Sequence, residues 1–305
     1  MIIAITGASG FIGQRLARRL LTDGHSVRAL TRTHSPSLPG GIEQIRGDLS
    51  DVQSLRRLLG GVDALMHLAG AVRGRTADDF DVPNVRGTEN LVRACRETSP
   101  GTPVLFFSSL AAREPGLSHY SASKRRAEDA LAAGADGPWL ALRPPAVYGP
   151  GDKEMLPVFR FMAKTGLAPC AGTRGDRLSL IFVDDLVSAA IAWLPRRREI
   201  RAVCTLHDGC DGGYGWPDLA QTVSTLCHRS VHIWELPRPM MDVAASLNQA
   251  ISALTRRKPM LTPGKLRELR HPDWVCDNVG IRSLIDWTPT IRLREGLAAT
   301  PGWNA

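Results

Sequence analysis

A tyrosine and a lysine lie four residues apart in the segment YSASK, residues 120–124, with only small residues between them. Residues four apart share one face of a helix, so Tyr120 and Lys124 could both point at one reacting group. A free phenol has a pKa of about 10, and a neighbouring ammonium would lower that pKa by stabilising the phenolate. The spacing therefore predicts a proton-transfer pair, although alone it is also typical of a polar patch on an ordinary helix.

Three glycines follow the first apolar run of the chain. The segment TGASGFIG, residues 6–13, places them between the strand-like IIAIT and a helical pattern that begins at Phe11. Glycine at these positions allows a tight turn, close approach of the backbone to a pyrophosphate and close helix–strand packing, and the helix N-terminus attracts the phosphates. The pattern predicts a dinucleotide-binding loop whose cofactor contacts are Gly7, Ser9, Gly10, Phe11, Ile12 and Gly13.

The end of the second apolar run indicates which dinucleotide is bound. Proteins that prefer NAD usually place an acid there to hold the ribose 2′-hydroxyl. In VRALTRT, residues 27–33, that position holds Thr31, and Arg32 follows it. Since a guanidinium can pair with a 2′-phosphate and stack on adenine, we expect NADP(H) to be preferred, with NAD(H) as the alternative.

The first two-thirds of the chain alternate apolar runs with amphipathic stretches. Continuous apolar runs separated by helices are typical of βαβ units around a parallel sheet that is buried on both faces. The predicted strands are 2–6, 26–30, 62–70, 103–109 and 138–144, and the predicted helices are 11–21, 51–59, 85–98 and 119–133. We therefore expect an α/β fold with a Rossmann-type, doubly wound parallel sheet.

Beyond Gly149 the alternation weakens, and Pro and Gly recur. This region predicts a smaller α+β lobe with strands near 202–206 and 231–236 and helices near 184–194, 217–228 and 241–255. We expect a nucleotide-binding domain at 1–150 with returning segments near 176–206, and a mainly substrate-binding lobe at 151–305. Ligands of open α/β sheets bind at the strand ends, where this lobe would pack.

With these motifs in order, the sequence resembles the extended short-chain dehydrogenase/reductase family, often labelled NAD-dependent epimerase/dehydratase. The resemblance runs nearly end to end and includes TGASGFIG, GDLSD (47–51), HLAG (67–70), NVRGTENL (84–91), SSLAA (108–112), YSASK, LRPPAVYGPGD (142–152), FVDDL (182–186) and DWTPTIRLREGL (286–297). It implies that hydride passes between the cofactor and a carbonyl or secondary alcohol while Tyr120 exchanges a proton with the substrate oxygen.

The resemblance also implies roles for individual residues. Asn84 would organise the backbone of the active site, Ser109 or, less typically, Ser108 would hold the substrate oxygen, and Lys124 would also hydrogen-bond the nicotinamide ribose. Further cofactor contacts implied by the motifs are Asp48 and Leu49 beside adenine, Leu68, Ala69 and Gly70 along the cofactor, and Pro144 and Val147. Homodimerisation through the helices near 85–98 and 119–133 is common in the family.

Two departures bear on the substrate. Sugar-nucleotide members usually separate the serine from the tyrosine by some two dozen residues, whereas Ser109 and Tyr120 are 11 apart. Those members often carry an arginine shortly before VDDL that binds the diphosphate, and here that position is Leu178, with Arg177 one residue away. A one-residue shift on a strand turns a side chain to the other face. We therefore place a reductase or dehydrogenase of a small, partly apolar molecule first, a sugar-nucleotide epimerase or dehydratase with bound NAD second, and a non-catalytic accessory subunit third.

The segment 256–274 resembles the steroid-dehydrogenase-like branch of the family and the branch that contains an accessory subunit of respiratory complex I. Before it, Val243, Leu247, Ile251 and Leu254 have helical spacing. This helix could cover an apolar substrate or lie on a membrane surface, but packing into the core is the interpretation we favour.

Composition excludes several other classes. The chain of 305 residues carries 38 Lys and Arg against 30 Asp and Glu, a formal charge of +8, but no basic stripe interleaved with aromatic residues, so we expect no nucleic-acid partner. The six cysteines show no metal-ligand spacing, and no apolar run is long enough to span a membrane. The chain opens directly on a strand, so we expect a cytoplasmic protein with reduced thiols, no metal and a small-molecule substrate.

Overall fold

The computed structural model describes residues 1–255, 259 and 261–304. In chain order the strands are β1 (Ile2–Thr6), β2 (Ser26–Thr31), β3 (Glu43–Arg46), β4 (Ala64–His67), β5 (Val104–Phe107), β6 (Trp139–Arg143), β7 (Ala146–Tyr148), β8 (Leu167–Cys170), β9 (Arg177–Leu178), β10 (Leu180–Phe182), β11 (Arg201–Thr205), β12 (Tyr214–Gly215), β13 (His232–Glu235) and β14 (Asp273–Trp274).

The helices cover both faces of the main sheet and build most of the C-terminal part. They are α1 (Phe11–Thr22), α2 (Val52–Leu59), α3 (Ala77–Asp81), α4 (Gly87–Thr98), α5 (His119–Gly134), α6 (Leu156–Thr165), α7 (Val183–Arg196), α8 (Trp216–Cys227), α9 (Arg238–Thr255), α10 (Pro263–Leu269), α11 (Val279–Leu284) and α12 (Leu293–Ala298). A π-helical turn, Val82–Arg86, joins α3 to α4, and a 3₁₀ turn, Leu110–Arg113, follows β5.

A seven-stranded sheet in the order β11-β6-β5-β4-β1-β2-β3 forms the centre of the molecule. Each of its pairings is parallel. The inner strands are buried along their length, as the continuous apolar runs require, and one hydrophobic core lies on each face. The prediction of a doubly wound, Rossmann-type α/β fold is confirmed.

Strands β3 and β11 form the two edges of the main sheet. Strand β3 has the half-polar sequence EQIR and was not predicted, because an edge strand need not be apolar on both faces. The run at 202–206 forms β11, which pairs with β6 at the other edge of the main sheet. Since the crossover through α7 leads back to the sheet, this segment returns to the first unit.

The C-terminal part contains short two- and three-stranded sheets, β7 with β10, β8 with β13, and β9 between β12 and β14. A third hydrophobic core joins them to α6, α8 and α12. Helix α9 differs from our expectation. Its residues Val243, Leu247 and Ile251 are 64%, 59% and 50% exposed, so the interpretation that this face packs into the core is wrong for them. The side chain of Leu254 and residues 256–258 and 260 lie outside the described residues.

Candidate active site

The glycine loop is shaped by two close backbone contacts. Gly7 has φ +75°, and a Cβ added there would lie 2.6 Å from the backbone nitrogen of Ala69, at the end of the neighbouring strand β4. A Cβ on Gly13 would lie 2.2 Å from the carbonyl oxygen of Gly7. A Cβ on Gly10 would meet only that same oxygen, at 3.2 Å, which leaves this glycine to face a ligand. The loop therefore lets the N-terminus of α1 approach a phosphate closely.

A cavity of about 1360 Å³ runs from this loop along the carboxyl ends of the strands to α9 and α10. Most of the residues predicted for the site line it: Gly7, Ser9, Gly10, Phe11, Ile12, Gly13, Leu68, Gly70, Asn84, Ser109, Tyr120, Lys124, Pro144 and Val147. The fold thus brings segments from the whole first half of the chain to one edge of the sheet. Ala69 lies behind the wall, where its backbone nitrogen donates to Thr6 Oγ1 at 3.2 Å.

Three other predicted cofactor contacts lie outside the cavity wall. Arg32 follows β2 and Asp48 follows β3, and both are exposed at the carboxyl edge of the sheet. Hydrogen bonds from Ser50 chiefly lower the pKa of Asp48, and the positive charge of Arg32 lowers it further. Leu49 is committed to packing, since a Cβ on Gly87 would lie 2.6 Å from its Cδ1. An open surface at this end fits the adenosine half of a dinucleotide.

Asn84 connects the loop after β4 to helix α5. The backbone nitrogen of Ala71 donates to Asn84 Oδ1 at 2.7 Å, and Asn84 Nδ2 donates to Ala71 O at 3.0 Å and to Ser123 Oγ at 2.9 Å. Asn84 is only 2% exposed and lies in the π-helical turn, an irregularity that often marks functional sites. Its amide therefore positions the helix that carries Tyr120 and Lys124.

The two serines after β5 have different partners. Ser108 donates to Glu128, whose carboxylate also forms two hydrogen bonds with Arg143, at 2.8 and 2.5 Å. Ser109 instead accepts from the backbone nitrogen of Ala111 at 3.2 Å and hydrogen-bonds the Tyr120 hydroxyl. Because Ser108 is tied to a buried ion pair, Ser109 is the serine that can hold a substrate oxygen beside the tyrosine.

The protonation of Tyr120 differs from our expectation. Burial raises its pKa; the hydrogen bond from Ser109 and the charge of Lys265 lower it, and the carboxylates of Glu268 and Glu154 raise it. In the protein alone the pKa of this phenol shifts upward, because desolvation of the phenolate outweighs the nearby positive charge of Lys265. Tyr120 therefore holds its proton at neutral pH.

Lys124 is largely buried in the floor of the cavity. Its ammonium donates to the carbonyl oxygen of Phe107 at 2.7 Å and lies 4.5 Å from the ring centroid of Phe106. Burial lowers the pKa of Lys124 to about 8, against an opposing effect of the Glu128 charge. His67, on the neighbouring strand, is held between Thr6 and Thr88 at 2.6 and 3.0 Å, and burial, followed by the Lys124 charge, lowers its pKa to about 3.

The sequence reading missed the residues that α10 brings to the site. Lys265 and Glu268 line the cavity with Tyr120, and Lys265 Nζ lies 2.8 Å from Glu268 Oε2. The sequence signal there is the helix start Thr262–Pro263, in which Thr262 Oγ1 accepts a hydrogen bond from the backbone nitrogen of Lys265. That signal predicts a helix but cannot say that the helix packs against Tyr120.

Arg177, next to the position where sugar-nucleotide enzymes carry a diphosphate-binding arginine, has other partners. Its guanidinium donates to the carbonyl oxygens of Gly212 and Gly213 at 2.6 and 2.7 Å. Leu178, in the expected position itself, lies on the cavity wall and packs against the third core. This part of the wall therefore presents an apolar side chain where a diphosphate would need a cation.

The sequence of this chain matches the model of the NAD dependent epimerase/dehydratase family over residues 3–203. This range covers the glycine loop, the main sheet and the Tyr–Lys pair. The chain belongs to this family, and the resemblance inferred from its motifs is confirmed.

Several relatives of established name are oxidoreductases. The chain is 36% identical over 277 residues to the ceramide reductase of Caulobacter vibrioides, covering 90% of this chain and 85% of that protein. It is 33% identical over 213 residues to the 2-alkyl-3-oxoalkanoate reductase of Stenotrophomonas maltophilia, covering 62% and 64%. It is 25% identical over 347 residues to the decarboxylating sterol-4-alpha-carboxylate 3-dehydrogenase of Saccharomyces cerevisiae, covering 99% and 97%. These matches support an oxidoreductase of the epimerase/dehydratase family.

The fold recurs in a crystal structure of the UDP-glucuronic acid 4-epimerase of Bacillus cereus in complex with UDP-glucuronic acid and NAD. The TM-score is 0.76 at 20% identity, and the superposition covers 100% of this chain and 99% of the other. Within the described part of the chain, no helix is both long and apolar enough to cross a bilayer, and no group of three His, Cys, Asp or Glu residues is arranged to hold a metal ion.

Proposed function

We propose that this protein is an NADPH-dependent reductase that converts a ketone on a long-chain, lipid-like substrate to a secondary alcohol. The names of its reductase relatives refer to a ceramide and to 2-alkyl-3-oxoalkanoates, both built on long hydrocarbon chains. Two of the three names also place a carboxylate on the carbon next to the one that is oxidised or reduced. A 3-oxo lipid with a polar group beside the ketone is the substrate class that unites them.

The observation that carries the proposal is the environment of Tyr120. The phenol lines the cavity, hydrogen-bonds Ser109 and has a raised pKa because of burial. A phenol that keeps its proton is a general acid, and reduction of a ketone needs one where the oxygen becomes an alkoxide. Ser109 and Tyr120 would hold the ketone oxygen together, and the Tyr120 proton would pass to it as its carbon is reduced.

The residues of the other half of the cavity fit a dinucleotide. The glycine loop at the α1 N-terminus would hold the pyrophosphate, Lys124 would contact the nicotinamide ribose, and Arg32 would pair with a 2′-phosphate. When bound, NADPH supplies the hydride that reduces the carbonyl carbon. With the proton from Tyr120, the ketone then gains the two hydrogens of the alcohol.

The substrate end of the cavity favours an apolar ligand over a nucleotide sugar. Leu178 stands where a diphosphate-binding arginine is usual, and Arg177 is engaged by two backbone carbonyls. Helix α9 contributes Gln249 to the wall and exposes Met240, Val243, Leu247 and Ile251 on its outside. An apolar helix face at the mouth of the cavity suits a substrate that arrives from a micelle or a bilayer.

The test is to follow NADPH oxidation by absorbance with a panel of ketones in detergent: 3-oxopalmitic acid, its methyl ester, 3-oxoceramide and, as comparison, a UDP-sugar with NAD. We expect turnover of the long-chain 3-oxo compounds, a lower rate with NADH, and none with the UDP-sugar. Epimerisation of a UDP-sugar by protein that retains NAD through dialysis would instead establish the sugar-nucleotide function. NADPH binding without turnover of any ketone, together with co-purification in a larger assembly, would favour an accessory subunit.

A further inference from the structure

Helix α10 is attached to the first turn of the helix that carries Tyr120. Glu268 is 5% exposed, and its carboxylate accepts hydrogen bonds from Ser118 and from Ser121, the latter at 3.2 Å. These serines lie two residues before and one residue after Tyr120. Arg267 Nε donates to the carbonyl oxygen of Leu117 at 2.8 Å. The buried carboxylate of Glu268 on α10 thus holds the first turn of α5, which carries Tyr120, through hydrogen bonds.

Glu268 also fixes a lysine on the cavity wall. Lys265 Nζ lies 2.8 Å from Glu268 Oε2, and the lysine side chain remains 45% exposed. Burial lowers the pKa of Lys265, but the charge and hydrogen bond of Glu268 outweigh it, so the net pKa is raised and the ammonium stays charged. Among the described residues, Glu268 takes one of its three N–H donors, which leaves two for a ligand.

The other charged groups around Tyr120 do not offer the same possibility. Glu154 also faces it, but its carboxylate is paired with Arg73 at 2.5 and 2.9 Å. Lys124 donates to the Phe107 carbonyl, and the proposed function assigns its remaining donors to the nicotinamide ribose. Among the residues that the structure describes, Lys265 is the lysine of the C-terminal part whose charge acts on the phenol from the cavity wall.

We propose that Lys265, held by Glu268, is the subsite for the polar head of the substrate and binds a carboxylate or amide oxygen next to the ketone. This inference rests on the proposed function. Tyr120 and Ser109 would take the ketone oxygen, and Lys265 would take an oxygen of the carboxylate or amide group attached to the neighbouring carbon. The two oxygens of such a substrate would meet donors from two helices that line one cavity, Tyr120 on α5 and Lys265 on α10, and a plain ketone would use only the first.

The test compares two ketones that share one alkyl tail, 3-oxopalmitic acid and 2-pentadecanone, which lacks the carboxylate. In the wild type we expect kcat/KM to be at least about tenfold higher for the acid, since a charged hydrogen bond contributes about 1.5–3 kcal/mol. Lys265→Gln should lower kcat/KM for the acid by about tenfold or more, mainly through KM, and leave 2-pentadecanone within about twofold. Lys265→Arg should restore part of the preference.

Lys153→Gln is the matched control, because Lys153 is a second lysine on the cavity wall with the same change of charge. It should leave both substrates unchanged. Equal losses for acid and ketone in Lys265→Gln would show that Lys265 acts on Tyr120 or on the fold, and no loss for either would show that it binds no head group. Either result overturns the proposal.

A binding measurement separates this proposal from the proposed function. Palmitate carries the carboxylate but no ketone, and its dissociation constant can be measured by calorimetry in the presence of NADP⁺ whether or not the protein turns over any ketone. We expect Lys265→Gln to weaken palmitate binding about tenfold and Lys153→Gln to leave it unchanged. Equal affinities in the wild type and Lys265→Gln would overturn the subsite even if ketone reduction is observed. Tighter palmitate binding by the wild type than by Lys265→Gln would support the subsite even if no ketone is reduced.

Discussion

The two ends of the cavity are built in different ways. The nucleotide end comes from one stretch of eight residues, TGASGFIG, and its shape depends on backbone atoms, as the contact between Gly13 and the Gly7 carbonyl shows. The substrate end joins segments far apart in sequence, such as Ser118 and Glu268, 150 residues from each other. A site made of backbone can be written as a short motif, whereas a site made of side chains from distant helices cannot.

The difference has a chemical counterpart. A pyrophosphate offers the same oxygens in every dinucleotide, so glycine-lined backbone donors suit it in many proteins. A substrate differs from one enzyme to the next, and the residues that line this end of the cavity include Leu178, Lys265 and Gln249 of α9. Changes at the two ends should therefore affect different measured quantities.

The largest expected effect is at Tyr120, where the two ends of the cavity meet and where a change should alter turnover but not cofactor binding. Tyr120→Phe removes the proton donor but keeps the ring, so we expect kcat for ketone reduction to fall by about 10³-fold. The dissociation constant for NADPH, measured by fluorescence titration, should change by less than about twofold. A variant that keeps its turnover would remove Tyr120 from the mechanism, and a variant that loses NADPH affinity would show that the ends are coupled.

The alternation of strands with helices and the glycine loop could be predicted because both leave local patterns. Asn84 and Ser109 could be found only through the family motif, since a lone Asn or Ser has no signature. The raised pKa of Tyr120 could not be predicted, because it depends on burial and on Glu268 and Glu154, which reach it through the tertiary fold. Strand β3, with its half-polar edge sequence, and the exposed face of α9 were missed because periodicity does not reveal which surface a neighbour will cover.

Lys124 lies between the two ends, and its burial should appear in the pH dependence of stability. Folding lowers its pKa to about 8, so between about pH 8 and 10.5 the native state binds fewer protons than the unfolded state. Stability therefore rises with pH across that window, and the cost of burying the charge is fully present below it. Relative to Lys124→Met, the wild type should gain about 2–3 kcal/mol in free energy of unfolding between pH 7 and 10.5.

Urea unfolding of both proteins at pH 7, 9 and 10.5 measures this difference, and comparing the pair cancels the other titrating groups. Lys164→Met, a change on the outer side of α6, is the control and should show no trend of this size. A constant difference between the wild type and Lys124→Met would mean that the ammonium is solvated in the native protein.

A change at Arg32 tests whether the nucleotide end of the cavity distinguishes NADPH from NADH. It is exposed beyond β2, next to Asp48, and its proposed partner is the 2′-phosphate. Removing one charged hydrogen-bond partner costs about 1.5–3 kcal/mol, so Arg32→Ala should weaken NADPH binding about tenfold or more and leave NADH unchanged. Arg96→Ala, an exposed arginine on α4, should alter neither. If both cofactors weaken equally, Arg32 contacts adenine or the ribose rather than the phosphate.

The smallest expected effect belongs to the outer face of α9, at the substrate end. Val243, Leu247 and Ile251 are exposed by half or more, and contact with a lipid surface would cover only part of each, so each contributes a fraction of the roughly 1.5–3 kcal/mol that full burial gives. Changing all three to Ser should raise KM severalfold for a long-chain ketone presented in vesicles. The same variant should reduce a short ketone dissolved in buffer at the wild-type rate, because the cavity behind the helix is unchanged. An equal loss with both substrates would mean that Val243, Leu247 and Ile251 stabilise α9 itself. Lys265 and Leu178 would then be the remaining evidence that the substrate end is adapted to lipids.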